Sequence, residues 1–182
     1  MKKPIVILEV KTKSPYGFKS NKTWDELFEI AEKHADIISI HTNPWWAGSF
    51  DLIQKARLLT DKPILAKGFH NSDYDIERAI SCGADYVLVV GRVPEVHKEK
   101  LLIEPLKFED LKNIPEDYKV VWNKRNLADG SIKNEDIKDV KGVFSGWICQ
   151  ASMIKSVDDV YPDIDAVLVG ENLEGFVDGL QK

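Results

Sequence analysis

Five polar residues stand where short apolar runs end: Glu9, Lys11, Lys67, Glu104 and Asn123. Pro63-Ile-Leu-Ala-Lys-Gly-Phe69 reads as a buried strand opened by a proline, which strands tolerate at their first residue. Lys67 interrupts its apolar run. A lysine there loses hydration unless it is paired or used, and burial moves its pKa down toward the range of proton transfer or Schiff-base chemistry. The structural alternative lays its stem on apolar surface with the ammonium in water. Glu9-Val-Lys11 alternates, so both charged groups face one way. Any one of these groups is explained by a salt bridge at a strand end. Five in register suit general acid–base catalysis, because each buried polar group is costly without a partner or a task.

Placing such a set takes strands that end together. Residues 5–11 form a first strand, and Thr23 with Glu26 makes a capping box for a helix over 24–34. Residues 36–42 are a second strand, and Ser49 caps a helix to 59. After the lysine strand, Ser72 caps a helix that stops at Cys82-Gly83, before a fourth strand at 86–90. The connections then shorten. Residues 93–100, broken by Pro94, are too short for a full helix, and 108–114 allow about two turns. Strands are expected at 101–104, 119–123, 142–145 and 165–170, with helices at 132–140, at 151–161 and from 173. This predicts an α/β fold, a single domain over 1–182: a compact (β/α)8 TIM barrel with reduced fourth to sixth helical connections. The alternative is a doubly wound open sheet, but no glycine-rich dinucleotide turn follows the first strand. A barrel draws its reactive groups from C-terminal strand ends, where the five residues fall. Ser145-Gly146 and Gly170 would then follow strands seven and eight, whose loops often bind phosphate.

The 182 residues carry a net charge of −5, which argues against a nucleic-acid partner. Two cysteines without CxxC spacing suit a reducing cytosol and offer no metal framework. No stretch has the length of a signal core or a membrane span. The expectation is a cytoplasmic protein with no cofactor and no membrane partner. The thin outer layer leaves faces on which a homodimer could form.

At these residues the chain resembles the indole-3-glycerol-phosphate synthase family of tryptophan biosynthesis. Leu8-Glu-Val-Lys-Thr-Lys-Ser-Pro15 is similar to the family's E-x-K-x-x-S-P signature. Ile38-Ser-Ile-His-Thr42, Ala47-Gly-Ser49, Lys67-x-Phe69, the fourth unit around Gly83-Ala-Asp85, Leu102-Ile-Glu104, Asn123-Lys-Arg125, Ser145-Gly146 and Val169-Gly170 follow in order. The resemblance implies a lyase that closes the indole ring of a phosphorylated substrate with loss of carbon dioxide and water. Lys67 would be the general acid and Glu104 the general base of dehydration. Lys11 would hold the anthranilate carboxylate, while Glu9 and Asn123 orient hydroxyls and lysines. Ser14, Trp46, Phe69 and Arg125 would line the substrate pocket, and Ser145, Gly146 and Gly170 would bind phosphate.

There are departures from the family pattern. Phe144 stands for the acid before the strand-seven Ser-Gly, Gly68 for the Asp after the lysine, and Thr42-Asn43 for Thr-Glu. No counterpart of the family's N-terminal helical extension precedes the first strand. The alternatives are an isomerase or aldolase on another sugar phosphate, and a non-catalytic ligand- or partner-binding member. His41 and His70 read as satisfied strand-end histidines, and Trp122 as packing between sheet and outer layer.

Overall fold

The computed structural model describes residues 2–182. Eight parallel strands close into a barrel in chain order: β1 (Ile5–Val10), β2 (Ile37–His41), β3 (Ile64–Lys67), β4 (Tyr86–Val90), β5 (Leu101–Glu104), β6 (Lys119–Asn123), β7 (Trp147–Ala151) and β8 (Ala166–Val169). Closure comes from β8 pairing with β1, Val6 opposite Val167 and Leu8 opposite Val169. Alternation divides each strand between two cores. Ile7, Leu65, Leu88, Leu102, Val121, Cys149 and Leu168 fill the interior. Val6, Leu8, Ile38, Val87, Ile103 and Val120 pack outward against the surrounding layer. The interior is therefore plugged with side chains, and chemistry is confined to its C-terminal rim.

Helices cover the first half as the sequence predicts. Thr23 and Glu26 form the reciprocal capping box of α1 (Trp24–His34), and Leu27, Phe28 and Ala31 are its buried stripe. Helix α2 (Phe50–Leu59) follows Ser49, which holds the N-cap position without a side-chain cap bond. Ser72 and Asp75 box α3 (Asp73–Ser81).

Beyond β4 the cover thins to short 3₁₀ segments, one turn at Lys98–Lys100 after β4 and two turns at Phe108–Asn113 after β5. Trp122 takes over the role of a helix there: it is 1% exposed, meets Phe108 edge-on at 6.1 Å, and donates its indole N–H to the Glu135 carbonyl at 3.2 Å.

Three expected elements are corrected. The strand expected at 142–145 is instead the end of α4 (Ile137–Val143), nucleated by a capping box of Asp136 and Asp139. Ile132, expected inside that helix, pairs with Arg125 in an antiparallel bridge. The seventh strand is Trp147–Ala151, and the helix expected at 151–161 is a single 3₁₀ turn, Val157–Asp159. Left-handed backbone at Ser152 and Met153 stops a helix from starting at the strand end. The Asp159 carboxylate then accepts the Lys155 and Ser156 N–H groups that a helix would have used. Among the described residues no helix is long and apolar enough to cross a membrane.

Candidate active site

The last inward positions of β1, β3, β5 and β6 bring Glu9, Lys67, Glu104 and Asn123 together, with Lys11 just beyond β1. Lys67 Nζ lies 3.2 Å from Glu9 Oε2, with both side chains nearly sealed from solvent. Burial alone would raise the Glu9 carboxyl, but Lys67, Lys11 and His41 outweigh it and hold it at about 2. Burial would likewise pull Lys67 down, yet Glu9 and Glu104 more than offset that, and its pKa lies above the ordinary lysine value. The expected downward shift is thus corrected: Lys67 is a fixed cation, suited to donating a proton to a developing oxyanion. Lys11 shifts the other way, lowered by burial and by Lys67 against the pull of Glu9 and Glu171.

Glu104 is tuned oppositely to Glu9. Burial raises its carboxyl, and Lys67, Lys133 and a hydrogen bond from Asn123 only partly counter this. Asn123 donates to Glu104 Oε2 at 3.5 Å, while its Oδ1 accepts the Ser152 hydroxyl at 2.5 Å and the Arg125 N–H at 3.0 Å. The amide orientation is fixed by those two donors. Two carboxylates with separated pKa values beside one cation are the equipment for acid–base work in a water-poor site.

Two recesses share this cluster. One, of about 430 Å³, runs from Lys67 and Glu104 to an aromatic wall. Trp46 stacks on His41 at 4.7 Å and meets Phe69 at 5.8 Å and Tyr16 at 5.9 Å. The Tyr16 hydroxyl donates to the Leu127 carbonyl at 2.6 Å, so the loops after β1 and β6 meet over the opening. A flat aromatic ring suits such walls. The second recess, about 780 Å³, opens between the loops after β7 and β8 and is lined by Lys11, Arg125, Ser152, Lys155, Gly170 and Asn172. Gly170 is there for space: a Cβ would lie 2.7 Å from Glu9 Oε2.

Of the residues singled out in the sequence, Glu9, Lys11, Lys67, Glu104, Asn123, Trp46, Phe69, Arg125 and Gly170 line these recesses. Ser14 lines neither. It is buried, and its hydroxyl accepts the Tyr16 N–H at 3.2 Å, shaping the loop that carries Tyr16.

Ser145 and Gly146 are a correction. They precede β7, at the end of the barrel away from the cluster, and a Cβ on Gly146 would lie 2.3 Å from the Glu116 carbonyl oxygen. That glycine serves backbone packing. Ala151 and Ser152 take the strand-end position expected of residues 144 and 145. Gly68 is explained by its neighbours: a Cβ would lie 2.3 Å from Thr42 Oγ1. The sequence reading missed Ser152, Glu171, Tyr16 and Leu127. Placing the seventh strand at Trp147–Ala151 would have found Ser152, the residue after its end. The other three depend on loop contacts. Among the described residues, no group of three or more His, Cys, Asp or Glu side chains could hold a metal ion.

His41 and His70 are satisfied, as expected. His41 Nδ1 accepts the Asn43 N–H at 3.0 Å, and burial, aided by Lys67 and Lys11 against Glu9, holds its pKa near 3. His70 contacts the Leu88 carbonyl and the Thr42 hydroxyl, and burial lowers it too. A buried group with a depressed pKa contributes stability that is complete above its unfolded value and lost as pH falls toward the folded one. His41 titrates over about 6.5 to 3 and Glu9 over 4.5 to about 2, so both weaken the fold in acid. The expected result for His41→Asn is a flatter loss of urea midpoint between pH 6.5 and 4.5, the imidazole supplying at most about 1.4 kcal/mol per pH unit. Parallel wild-type and variant curves would refute a buried neutral His41.

A family model described as indole-3-glycerol phosphate synthase matches residues 1–178. Similar curated proteins carry the same description. That of Campylobacter hominis is 30% identical over 140 residues, 72% of this chain and 51% of its own length. That of Campylobacter jejuni subsp. jejuni is 28% identical over 136 residues, with the same two coverages. That of Sulfurisphaera tokodaii is 31% identical over 93 residues, 50% of this chain and 38% of its own. The chain spans about half the length, or less, of these relatives.

Proposed function

The chain belongs to the indole-3-glycerol phosphate synthase family, and from that premise we propose that it converts 1-(2-carboxyphenylamino)-1-deoxyribulose 5-phosphate into indole-3-glycerol phosphate, with no cofactor. The observation that carries the reading is the Lys67 cation set between a carboxylate held ionised, Glu9, and one pushed upward, Glu104. The anthranilate ring carbon attacks the substrate's ketone carbon, and Lys67 gives the proton that the oxygen needs as it becomes a hydroxyl. Carbon dioxide leaves from the attacking ring carbon, and the electrons of the broken C–C bond stay in the ring. Loss of the new hydroxyl as water, with Glu104 removing the last proton, gives the aromatic indole.

Glu9 Oε1, buried and without a protein partner, suits a substrate hydroxyl. Trp46 and Phe69 would flank the ring, and Lys11 and Arg125 would meet its anionic groups. The phosphate would sit between the loops after β7 and β8, against Ser152, Gly170 and Asn172.

The test is to incubate the purified chain with the carboxyphenylamino-deoxyribulose phosphate and follow indole fluorescence. Indole formation is expected. A folded protein that forms none overturns the assignment, and tight binding of a reduced substrate analogue would then mark a ligand-binding member of the family.

A further inference from the structure

Glu171, the residue after Gly170 in the loop beyond β8, joins the two cations of the second recess. Its Oε1 lies 3.2 Å from Lys11 Nζ and its Oε2 lies 3.4 Å from Arg125 Nη2. The three side chains are 26%, 10% and 21% exposed, so the bridge is shielded without being sealed. Arg125 is held in place independently: a second guanidinium nitrogen donates to the Gly130 carbonyl at 3.1 Å, and its plane lies over the Tyr16 ring at 5.5 Å. Lys11 is likewise seated, with its ammonium 5.7 Å from the Phe18 ring. Each cation thus keeps a contact of its own when the carboxylate between them is displaced.

A carboxylate bridging two preset cations has the charge and oxygen spacing of a bound anion. Glu171 also lines the second recess, together with Ser152, Lys155 and Asn172. We infer that Glu171 is an internal counter-ion that occupies Lys11 and Arg125 in the free protein and is displaced by an anionic group of the ligand, a phosphate monoester or a carboxylate. This rests on the recess being an anion site and deepens the proposed function. Glu171 also supplies to Lys11 a negative charge that β7, ending in Ala151, does not carry. A ligand must return at least the one negative charge it displaces, because failure to do so leaves a shielded cation unpaired.

The experiment measures the dissociation constant of inorganic phosphate by calorimetry, at fixed ionic strength, for the whole chain and its variants. Glu171→Gln is expected to bind phosphate about tenfold more tightly than wild type, worth about 1.4 kcal/mol. In a Lys11→Met background the same change should give little gain, because one of the two contested cations is gone. Glu171→Asp, which keeps the charge but is one methylene too short to span both cations, should bind phosphate with intermediate affinity. Unchanged or weaker binding in Glu171→Gln, or a gain that persists without Lys11, overturns the proposal. Indole formation is read separately. Tighter phosphate binding in a protein that forms no indole keeps the counter-ion and refutes the synthase reading, whereas indole formation with unaltered phosphate affinity does the reverse.

Discussion

Lys67→Met is expected to lower kcat for indole formation by about 10³-fold, with KM within a few-fold of wild type, if the proposed reaction holds. Methionine keeps much of the apolar stem and removes the charge, so ligand shape is conserved while the proton donor disappears. The same change strands Glu9, which is 1% exposed and loses the largest of the charges that favour its ionised form. Removing one partner of a buried pair costs about 3–5 kcal/mol. The variant should therefore unfold at lower urea, and less so in acid, where Glu9 takes up a proton. Adding Glu9→Gln should recover stability and leave the rate low. Stopped-flow indole fluorescence and urea titration separate the two effects. A kcat within tenfold of wild type in the folded single variant would remove Lys67 from the acid role.

Glu104→Gln should move rate and stability in opposite directions. The expected loss in kcat is about 10²–10⁴-fold, the range of a positioned acid or base. Stability should rise. Burial raises the Glu104 carboxyl above 4.5, so the folded state binds its proton more tightly than the unfolded chain does. Such a group stabilises below the unfolded value and forfeits that contribution as pH climbs through the folded one. Once the pH has climbed past the folded value, the wild type holds an ionised carboxylate in a site that disfavours it, and the amide does not. The urea midpoint of Glu104→Gln should gain on wild type as pH rises above 4.5, with the difference shrinking back toward pH 4.5. Glutamine can still accept the Asn123 amide, so local geometry has no reason to collapse. A variant that loses ground to wild type as pH rises would show that Lys67 depends on Glu104 more than on Glu9.

Most of the barrel could be read along the chain, because strands one to six are bounded by signals within a few residues. Pro63 opens the lysine strand, Thr23 and Ser72 cap their helices, and Glu104 and Asn123 end runs of apolar residues. The last third misled for physical reasons. Val143-Phe144 looks like a strand start but closes α4, whose Asp136–Asp139 box is visible only if that acidic pair is taken as a cap. In β7 the polar Gln150 looks like a loop residue, yet its side chain takes the Tyr161 N–H and gives an N–H to the Asp159 carbonyl. Misreading that strand carried the phosphate expectation to Ser145 and Gly146. Glu171 lay beyond reach for another reason. Its partner Lys11 is 160 positions away, and only the pairing of β8 with β1 brings them together.

That pairing also governs what this architecture can lose. Each strand has hydrogen-bonded neighbours on both sides, so no row of backbone donors and acceptors is left open among the described residues. Discarding an outer helix then uncovers side chains without breaking the ladder beneath them. The connections after β4, β5 and β7 are each trimmed to 3₁₀ turns beside intact strands. Shortening can accordingly proceed piece by piece, with each cut repaired by a residue such as Trp122. Deleting a strand opens two edges at once and has no such intermediate, so the helices of this barrel are expendable singly and its staves only together.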